Sequence, residues 1–286
     1  MASEASIVDG GLGRPGRLGW LAISVLLTLI TTGGIYLLNH YVHLTYVTES
    51  GPRQSLRVLS WNIGKIYLPW ESRAADRDLQ HVAKVINDAN PHVVALQEIR
   101  DATQLGRLLV ALGPGWRGKV PKDAYDRRAA LLVRLGCRFF DIPTSSGRTA
   151  QGAVVRLPSG RHVTFVSVHL DAFDPQRRLR QAEELIAGAQ RWGNDELFLA
   201  GDLNFDPSLA ASDSLDRRLY RFLASTLSDA GRDAGSTTIF SRRLDYVFYR
   251  SPRVRRARAR VLRGRRINTM DHDPLLVEFE LVTPER

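Results

Sequence analysis

Apolar and polar residues follow one another in a way that predicts strands and helices along the whole chain after residue 55. Short apolar runs, of the length that buried strands have, recur between polar turns. They lie at residues 56–61, 93–97, 129–134, 152–157, 162–168, 196–200, 244–249 and 275–281. Their number and spacing predict a domain built on β-sheet.

Four other segments have apolar residues three and four positions apart, which is the period of an amphipathic helix. In the first, residues 72–89, Leu79, Val82 and Ile86 share one face. The other predicted helices lie at residues 105–112, 175–192 and near 215–227. Strands and helices are mixed throughout and no second linker occurs. We therefore predict a single α/β or α+β domain over residues 55–283.

An uncharged apolar segment precedes this domain. Residues 18–38 read LGWLAISVLLTLITTGGIYLL and contain no charged side chain. At 1.5 Å per residue, a helix of this length spans about 30 Å, the thickness of the hydrocarbon layer of a bilayer. A buried core helix of this length would have a polar face, and a cleaved signal peptide would have a shorter apolar region. We predict one transmembrane helix between a tail, residues 1–17, and a tether, residues 39–54.

The basic residues on either side of this segment predict its orientation. Arg14 and Arg17 precede it, whereas the first basic residue after it, histidines aside, is Arg53. The positive-inside rule then places the N-terminus in the cytoplasm. The predicted location is the cell membrane, crossed once, with the large domain on the extracytoplasmic side.

Composition adds a basic charge to this picture. The chain has 40 Lys and Arg against 30 Asp and Glu, and only four of the basic residues are Lys. The planar fork of Arg matches phosphate and carboxylate groups, so the surplus favours an anionic partner, unless it reflects a general preference for Arg in the source genome. The single cysteine, Cys137, excludes an internal disulfide and a Cys-rich zinc site.

Polar side chains follow or begin six of the predicted strands. These residues are Asn62, Glu98, His169, Asp202 with Asn204, Asp245, and Asp271 with His272. Each one alone is typical of a turn. If the strand ends meet at one rim, however, the residues form a pocket of carboxylates, amides and imidazoles. Carboxylate and amide oxygens suit Mg²⁺, Mn²⁺ or Ca²⁺ rather than a structural zinc ion.

Six short segments, taken in order, resemble the endonuclease/exonuclease/phosphatase superfamily. They are SWNIGK (60–65), ALQEI (95–99), SVHLDAF (167–173), AGDLNFDP (200–207), RLDYVF (243–248) and MDHDPL (270–275). The chain looks like a membrane-anchored bacterial member of the group that includes deoxyribonuclease I-like nucleases, neutral sphingomyelinases and inositol polyphosphate phosphatases. The resemblance implies a four-layer sandwich of two packed, mostly antiparallel β-sheets flanked by helices. It also implies metal-dependent hydrolysis of a phosphoester.

The resemblance also implies a metal site. Glu98 resembles the metal-binding glutamate of the superfamily, with Asn62 beside it, and Asp271 resembles an acidic residue that assists. The implied cofactor is Mg²⁺, with Mn²⁺ and Ca²⁺ as alternatives. One position departs from the pattern: abasic-site repair nucleases tend to have an acidic residue where this chain has Gly64, which weakens a DNA-repair interpretation.

The catalytic residues implied by the resemblance come from the other segments. Asp202 and Asn204 resemble the pair that orients the attacking water and holds a phosphate oxygen. His272 resembles the histidine that contacts the scissile phosphate, and Asp245 resembles its carboxylate partner. His169 resembles a second histidine found in the nuclease and sphingomyelinase branches. Asn204 and His272 are thus also expected to bind the substrate.

The arginine-rich segment 250–266 contains nine Arg residues. Within it, arginines at 256, 258 and 260 alternate with small apolar residues, which predicts a strand with one basic face. Its position between two motifs suggests the second of the two sheets. That face is either a phosphate-binding stripe or a solvated face that deters edge pairing, and we favour the second. Solvated charges are also expected at arginines 127, 128, 177, 178 and 180.

These observations predict a membrane-anchored, divalent-metal-dependent phosphoester hydrolase that uses Asp202 and His272, with a metal ion at Glu98. The substrate is a nucleic acid or a phospholipid-type molecule, and residues 18–38 contact the membrane. The alternative is a catalytically inactive domain of the same fold that binds phosphate-containing ligands or partners. The sequence does not indicate the oligomeric state.

Overall fold

A computed structural model describes residues 53–64, 72–122, 127–192, 195–209, 211–267 and 270–282. These residues belong to a compact unit that starts at Pro52. The predicted tail and transmembrane helix lie outside the described residues, as does the tether up to residue 52. Among the helices that are described, none has the length and apolar character needed to span a bilayer.

The described strands form two six-stranded sheets. The first contains β1 (Arg53–Asn62), β2 (Val93–Ile99), β3 (Arg117–Lys119), β4 (Arg128–Val133), β11 (Val254–Val261) and β12 (Leu275–Val282). The second contains β5 (Gly136–Pro143), β6 (Thr149–Arg156), β7 (His162–His169), β8 (Leu197–Asp202), β9 (Ser228–Asp229) and β10 (Asp245–Arg250). The strand orders are β11-β12-β1-β2-β4-β3 and β5-β6-β7-β8-β10-β9.

Helices cover the outer face of each sheet. They are α1 (Ser72–Ala89), α2 (Ala102–Leu112), α3 (Pro175–Gln190) and α4 (Leu215–Thr226). The first two pack on the first sheet, where Ile86 and Leu108 contact the cluster around Leu96. The last two pack on the second sheet. The inner faces of the sheets meet around Phe165 and Phe279, so the predicted sandwich of two sheets flanked by helices is confirmed.

The prediction that both sheets are mostly antiparallel is also confirmed. The first sheet has one parallel pair, β1 with β2, and the second has one, β7 with β8. The carboxyl ends of parallel neighbours lie at the same edge of a sheet. The antiparallel strands β10 and β12 begin at those same edges, because Asp245 pairs with Asp202 and Leu275 pairs with Ser60.

The arginine-rich strand lies in a different sheet from the one predicted. It is β11, and it pairs with β12 at the edge of the first sheet rather than in the second. The following segment of the chain returns beside it as β12, which places both strands in the sheet of β1. Arg256, Arg258 and Arg260 are exposed on this edge strand, which agrees with a solvated face that deters edge pairing.

Candidate active site

Asp202 lies at the centre of the predicted site. Its Oδ2 accepts a hydrogen bond from Asn62 Nδ2 at 2.9 Å, and its Oδ1 accepts one from the backbone N–H of Asn204 at 2.9 Å. The same Oδ2 lies 3.7 Å from His169 Nε2 and 3.8 Å from His272 Nε2. Burial raises the pKa of Asp202, and the two histidines only partly oppose that rise. The structure thus places a buried carboxylate with raised basicity between two imidazoles.

Gly201 permits this arrangement. Its φ is +155°, and a Cβ at this position would lie 2.0 Å from the carbonyl oxygen of Val168. Only glycine lets β8 approach β7 so closely. The register then places Asp202 directly beside His169 on the neighbouring parallel strand.

His272 is held by a fully buried carboxylate. Its Nδ1 donates to Asp245 Oδ2 at 2.7 Å. Thr237 Oγ1 accepts from the backbone N–H of Asp245 at 3.1 Å, and Trp61 Nε1 donates to the carbonyl of His272 at 3.2 Å. Burial disfavours charge on this ring, but the carboxylates of Asp245 and Asp202 outweigh it and raise the pKa of His272 to about 10. The ring is therefore an imidazolium near neutral pH.

His169 is in the opposite state. Burial and, to a smaller extent, the charge of Arg148 lower the pKa of His169 to about 4, although the nearby Asp202 opposes this shift. Its Nδ1 lies 3.2 Å from the carbonyl oxygen of Arg127. A neutral ring must carry its proton on Nδ1 to donate to that carbonyl, which leaves Nε2 as an acceptor facing Asp202. The site thus combines one charged donor imidazole with one neutral acceptor imidazole.

Asn62 is the last residue of β1, and Glu98 is the last but one of the neighbouring parallel strand β2. Asn62 pairs in register with the residue before Glu98, so the two functional groups belong to the same edge. Glu98 has a left-handed φ of +61°, and its carboxylate lies 3.8 Å from Arg127 Nη1. A non-glycine residue in this conformation is strained, and such residues are often found at functional sites.

The donor set fits a hard divalent cation. Within the described ranges, no three His, Cys, Asp or Glu side chains form a ready-made metal cage. Mg²⁺ does not need one, because it keeps several waters and binds proteins through one or two carboxylates. Glu98 supplies a carboxylate and Asn62 an amide oxygen. The Asp271 carboxylate is about half exposed, with its Oδ1 3.9 Å from His272 Nε2, and so it faces the same mouth.

Asn204 also has a left-handed backbone, with φ at +55°. Its Nδ2 donates to the carbonyl of Leu170 at 3.1 Å. The amide has a second N–H, which this bond leaves available for a phosphate oxygen. The backbone turn and the side-chain bond together fix the amide beside Asp202.

Gly64 has a structural reason to be glycine. Its φ is +50°, and a Cβ there would lie 2.1 Å from the sulfur of Met270. An acidic side chain at this position would conflict with Met270 in the loop before His272.

Sequence reasoning missed several residues that shape the site. Arg127, expected to be a solvated charge, contacts both His169 and Glu98. Arg178, also expected to be solvated, is buried and pairs with Asp216 at 2.7 Å. Two further residues bond to the backbone of site residues. Thr237 Oγ1 accepts from the N–H of Asp245, and Arg148 Nη1 donates to the carbonyl of His169. No sequence pattern predicts such contacts.

Two further acidic residues of the motif segments, Asp171 and Asp206, hold loops near the site. Asp171 accepts from the backbone of Phe173 and Asp174. Asp206 accepts from the backbone of Ser208 and Arg243. The pKa of each of these carboxyl groups is lowered, because these hydrogen bonds outweigh the effect of burial.

Comparisons with known proteins agree with this fold. No curated protein matches the chain by sequence. The endonuclease/exonuclease/phosphatase protein of Bacteroides vulgatus superposes with a TM-score of 0.63 at 19% identity, covering 80% of this chain and 99% of that chain. Truncated TDP2 from Caenorhabditis elegans gives 0.61 at 18% identity, covering 79% and 98%. The human Nocturnin catalytic domain, solved with a bound sulfate anion, gives 0.60 at 20% identity, covering 81% and 96%.

A family-level match covers most of the domain. Residues 59–267 match the sequence profile of the Endonuclease/Exonuclease/phosphatase family. This range contains five of the six motif segments in full, together with every described strand except β12 and the first six residues of β1. Proteins of this family are generally hydrolases that act on phosphoesters. The chain belongs to the endonuclease/exonuclease/phosphatase family.

Proposed function

We propose that this chain is a divalent-metal-dependent phosphoester hydrolase. The observation that carries the proposal is the position of Asp202 between two imidazoles of opposite protonation state, within 3.7 Å of His169 and 3.8 Å of His272. Such a pairing of a base with a charged donor suits attack by water on an anionic phosphorus centre. A purely structural carboxylate would have no need of both histidines.

The residues divide the chemistry among them. Asp202 orients the attacking water and accepts its proton, and the raised pKa makes it a better base than an exposed aspartate. The water oxygen bonds to phosphorus as the ester oxygen leaves. Protonated His272 donates to a non-bridging phosphate oxygen, and Asn204 adds a directed N–H donor. Neutral His169 accepts a hydrogen bond at Nε2 and so helps to hold the water.

Glu98 and Asn62 would hold the divalent ion, with Asp271 close to it. We propose Mg²⁺, with Mn²⁺ or Ca²⁺ as alternatives, because all three prefer oxygen donors. When bound, the ion neutralises negative charge on the phosphoryl group and on the leaving oxygen.

The test is hydrolysis by the full-length chain on two substrates, supercoiled plasmid and phospholipid vesicles, each with Mg²⁺ and with chelator. We expect Mg²⁺-dependent turnover that falls at least about a hundredfold in Asp202→Ala, as when a general base is removed. Asp213→Ala, which changes an exposed aspartate, is the matched control and should keep full activity. Turnover that persists in Asp202→Ala contradicts the proposed mechanism.

The candidate substrates are a nucleic acid and a phospholipid, and exposed apolar side chains favour the phospholipid. Phe173 is 89% exposed in the loop after His169, and Phe240 is 68% exposed. The loop of Phe240 contacts the site, because the N–H of Ile239 donates to the carbonyl of Asp271 at 2.9 Å. Exposed aromatic side chains at a catalytic mouth suit insertion into a bilayer. Hydrolysis of vesicles but not of plasmid would favour this candidate.

The inactive alternative has its own discriminating measurement. A binding domain without turnover would release no product with Mg²⁺, and Glu98→Ala would leave its ligand affinity unchanged. The catalytic proposal predicts that Glu98→Ala weakens Mg²⁺ binding in a calorimetric titration and abolishes turnover. The set of proposed groups is complete in this chain, which favours catalysis.

We also propose that the chain is a single-pass membrane protein with its catalytic domain outside the cytoplasm. The support is the uncharged segment 18–38 and the two arginines before it. A reporter fused after Arg286 should be active only in the extracytoplasmic compartment. Activity only in the cytoplasm would reverse the proposed orientation without affecting the chemistry.

A further inference from the structure

A cavity that the proposed mechanism does not use lies at the same end of the second sheet as the active site. Its volume is about 430 Å³, and it opens between α4, the loop after β8 and the loop before β10. Its walls consist of four arginines, two serines, a tyrosine and a proline. They are Pro207, Ser208, Ser212, Arg217, Tyr220, Arg221, Arg232 and Arg243. We call this cavity the arginine pocket.

The arginine pocket and the active site lie at the same end of the second sheet. The strand β8 ends at Asp202 and β10 begins at Asp245, so the loops that follow and precede them leave the same edge. Pro207 is three residues after Asn204. Since each residue advances the chain by at most about 3.5 Å, this wall begins within about 10 Å of the catalytic groups.

The charge of the arginine pocket is positive, and part of it is uncompensated. No acidic side chain lines it. Asp229 neutralises Arg243, at 2.5 Å, from behind the wall. In the described part of the chain, neither Arg221 nor Arg232 forms an ion pair. Both are exposed, so their guanidinium groups can reach an anion in the cavity.

The inner wall of the arginine pocket is rigid. The guanidinium of Arg243 lies 4.2 Å from the ring centroid of Tyr246 and is held by Asp229. The hydroxyl of Tyr220 donates to the same Asp229 at 3.2 Å. The backbone N–H of Arg243 donates to Asp206 at 2.9 Å. A pre-arranged arginine loses little conformational entropy when it binds a phosphate.

We infer that the arginine pocket binds a second phosphate group of the substrate, and that this substrate is therefore a polynucleotide strand. The inference rests on the proposed function, which supplies the first phosphate at Asp202 and His272. In B-form geometry a strand has a phosphate about every 3.4 Å along the helix axis, so a phosphate within a few nucleotides of the scissile bond reaches the pocket.

The test is binding of a fluorescent single-stranded 12-mer oligonucleotide to the full-length chain in chelator, where hydrolysis does not interfere. We expect the double variant Arg221→Ala/Arg232→Ala to bind about tenfold more weakly. Each phosphate contact contributes about 0.7 to the salt slope of a single strand, so this slope should decrease by about 1.4. The double variant Arg156→Ala/Arg218→Ala removes two exposed arginines that do not line the pocket, and its affinity should stay the same.

Hydrolysis separates this inference from the proposed function. A dinucleoside monophosphate has only one phosphate, so the kcat/KM of the Arg221→Ala/Arg232→Ala variant for it should equal that of the unchanged chain. Unchanged affinity for the 12-mer, or an equal loss in both double variants, overturns the inference. So does a loss that appears only with vesicles that contain polyphosphorylated phosphatidylinositol. A chain that binds the 12-mer through the pocket but hydrolyses nothing keeps the inferred phosphate site and refutes the proposed function.

Discussion

The carboxylate of Asp245 is fully buried, and its Oδ1 has no hydrogen-bond partner among the described residues. Such a buried orphan oxygen is costly, and it is typical of a site where function rather than stability selects the residue. The other oxygen contacts only one imidazole strongly, that of His272. The main effect of this carboxylate is thus to keep His272 protonated.

Asp245→Asn removes this charge with little change of shape. We expect kcat to fall by about two to four orders of magnitude, since the imidazolium donor is lost. With a pKa of about 10, His272 is protonated below that pH, so the rate should decline only as pH rises through about 10. In Asp245→Asn that decline should move to lower pH. A pH profile of kcat/KM measures this, because that ratio reports the pKa values of the free enzyme. The exposed Asp195→Asn is the control, and an unmoved alkaline limb would contradict the role of Asp245.

His169 makes the stability of the domain depend on acid. Its pKa is lowered from an ordinary 6.5 to about 4. Between these two pH values the unfolded chain therefore binds a proton at this ring that the folded chain does not bind. The stability that the folded domain gains from keeping this ring neutral is fully present above pH 6.5, and it is lost as pH falls from 6.5 through about 4. It amounts to about 3 kcal/mol.

His169→Gln removes this proton linkage. Between pH 7 and pH 4.5, the free energy of unfolding should fall less in this variant than in the unchanged chain, by up to about 3 kcal/mol. Urea unfolding at the two pH values measures the difference. The exposed His162→Gln is the matched control and should behave like the unchanged chain. An equal fall in His169→Gln would show that other groups cause the acid sensitivity.

At the scale of single residues, the sequence predicts which residues take part in the chemistry better than it predicts which residues they contact. Asp202 and His272 stand out because each follows or precedes an apolar run within a specific motif. Arg127 does not, since it acts on His169 through a backbone carbonyl that every residue has. Thr237 is missed for a related reason: its hydroxyl supports the backbone of Asp245 from a loop without periodicity.

At the scale of elements, a buried ion pair links the two sheets at the end away from the active site. Glu196 precedes β8 in the second sheet, and Arg253 precedes β11 in the first. Their side chains are 7% and 6% exposed and approach to 2.7 Å. Arg253 Nε and Nη2 both donate to this carboxylate. One arginine of the basic segment 250–266 is thus a structural clamp rather than a solvated charge.

Arg253→Ala should destabilise the domain by about 3 kcal/mol, because the buried carboxylate of Glu196 loses its main partner. Only the half-exposed Arg161, at 3.7 Å, and the hydroxyl of Ser251 would still contact it. The double variant Glu196→Gln/Arg253→Met should lose much less, since it removes both charges and keeps the volume. Denaturant unfolding gives both values. Arg258→Ala, on the exposed face of β11, is the control and should change stability by less than about 0.5 kcal/mol. A similar small loss in Arg253→Ala would mean that the pair is not a clamp.

Elements with a regular hydrophobic period are predictable from the sequence. Strands that are very short, or that are buried along only part of one face, are not. The helix α1 has the predicted bounds, because its apolar face is regular and Asn90-Pro91 follows it. The strands β3 and β9 have three and two residues, too few for any pattern. The strand β5 lies at a sheet edge and is buried on one side only near its end, at Phe140 and Ile142. Tertiary pairing, rather than local sequence, determines such strands.

At the scale of the whole molecule, the candidate site exists only where the two sheets meet. Asn62 and Glu98 come from the first sheet, whereas His169, Asp202 and Asp245 come from the second. No local pattern predicts that these edges coincide; the resemblance of six ordered motifs does. The strand β1 runs about 30 Å from Arg53 to Asn62 at the catalytic mouth.

The segment 18–38 gives the last prediction for the whole molecule. Its 21 uncharged residues can satisfy their backbone hydrogen bonds as a helix inside the hydrocarbon layer. The full-length chain should therefore stay in the membrane pellet after an alkaline carbonate wash. The double variant Leu26→Arg/Leu27→Arg should be released, because each arginine at the centre of a span costs about 2.5–3.5 kcal/mol. Val110→Arg/Leu209→Arg adds the same charges at exposed positions of the domain and should stay in the pellet. Release of the unchanged chain by carbonate would mean that this segment is not an integral anchor, and the catalytic domain would then have to meet its substrate without one.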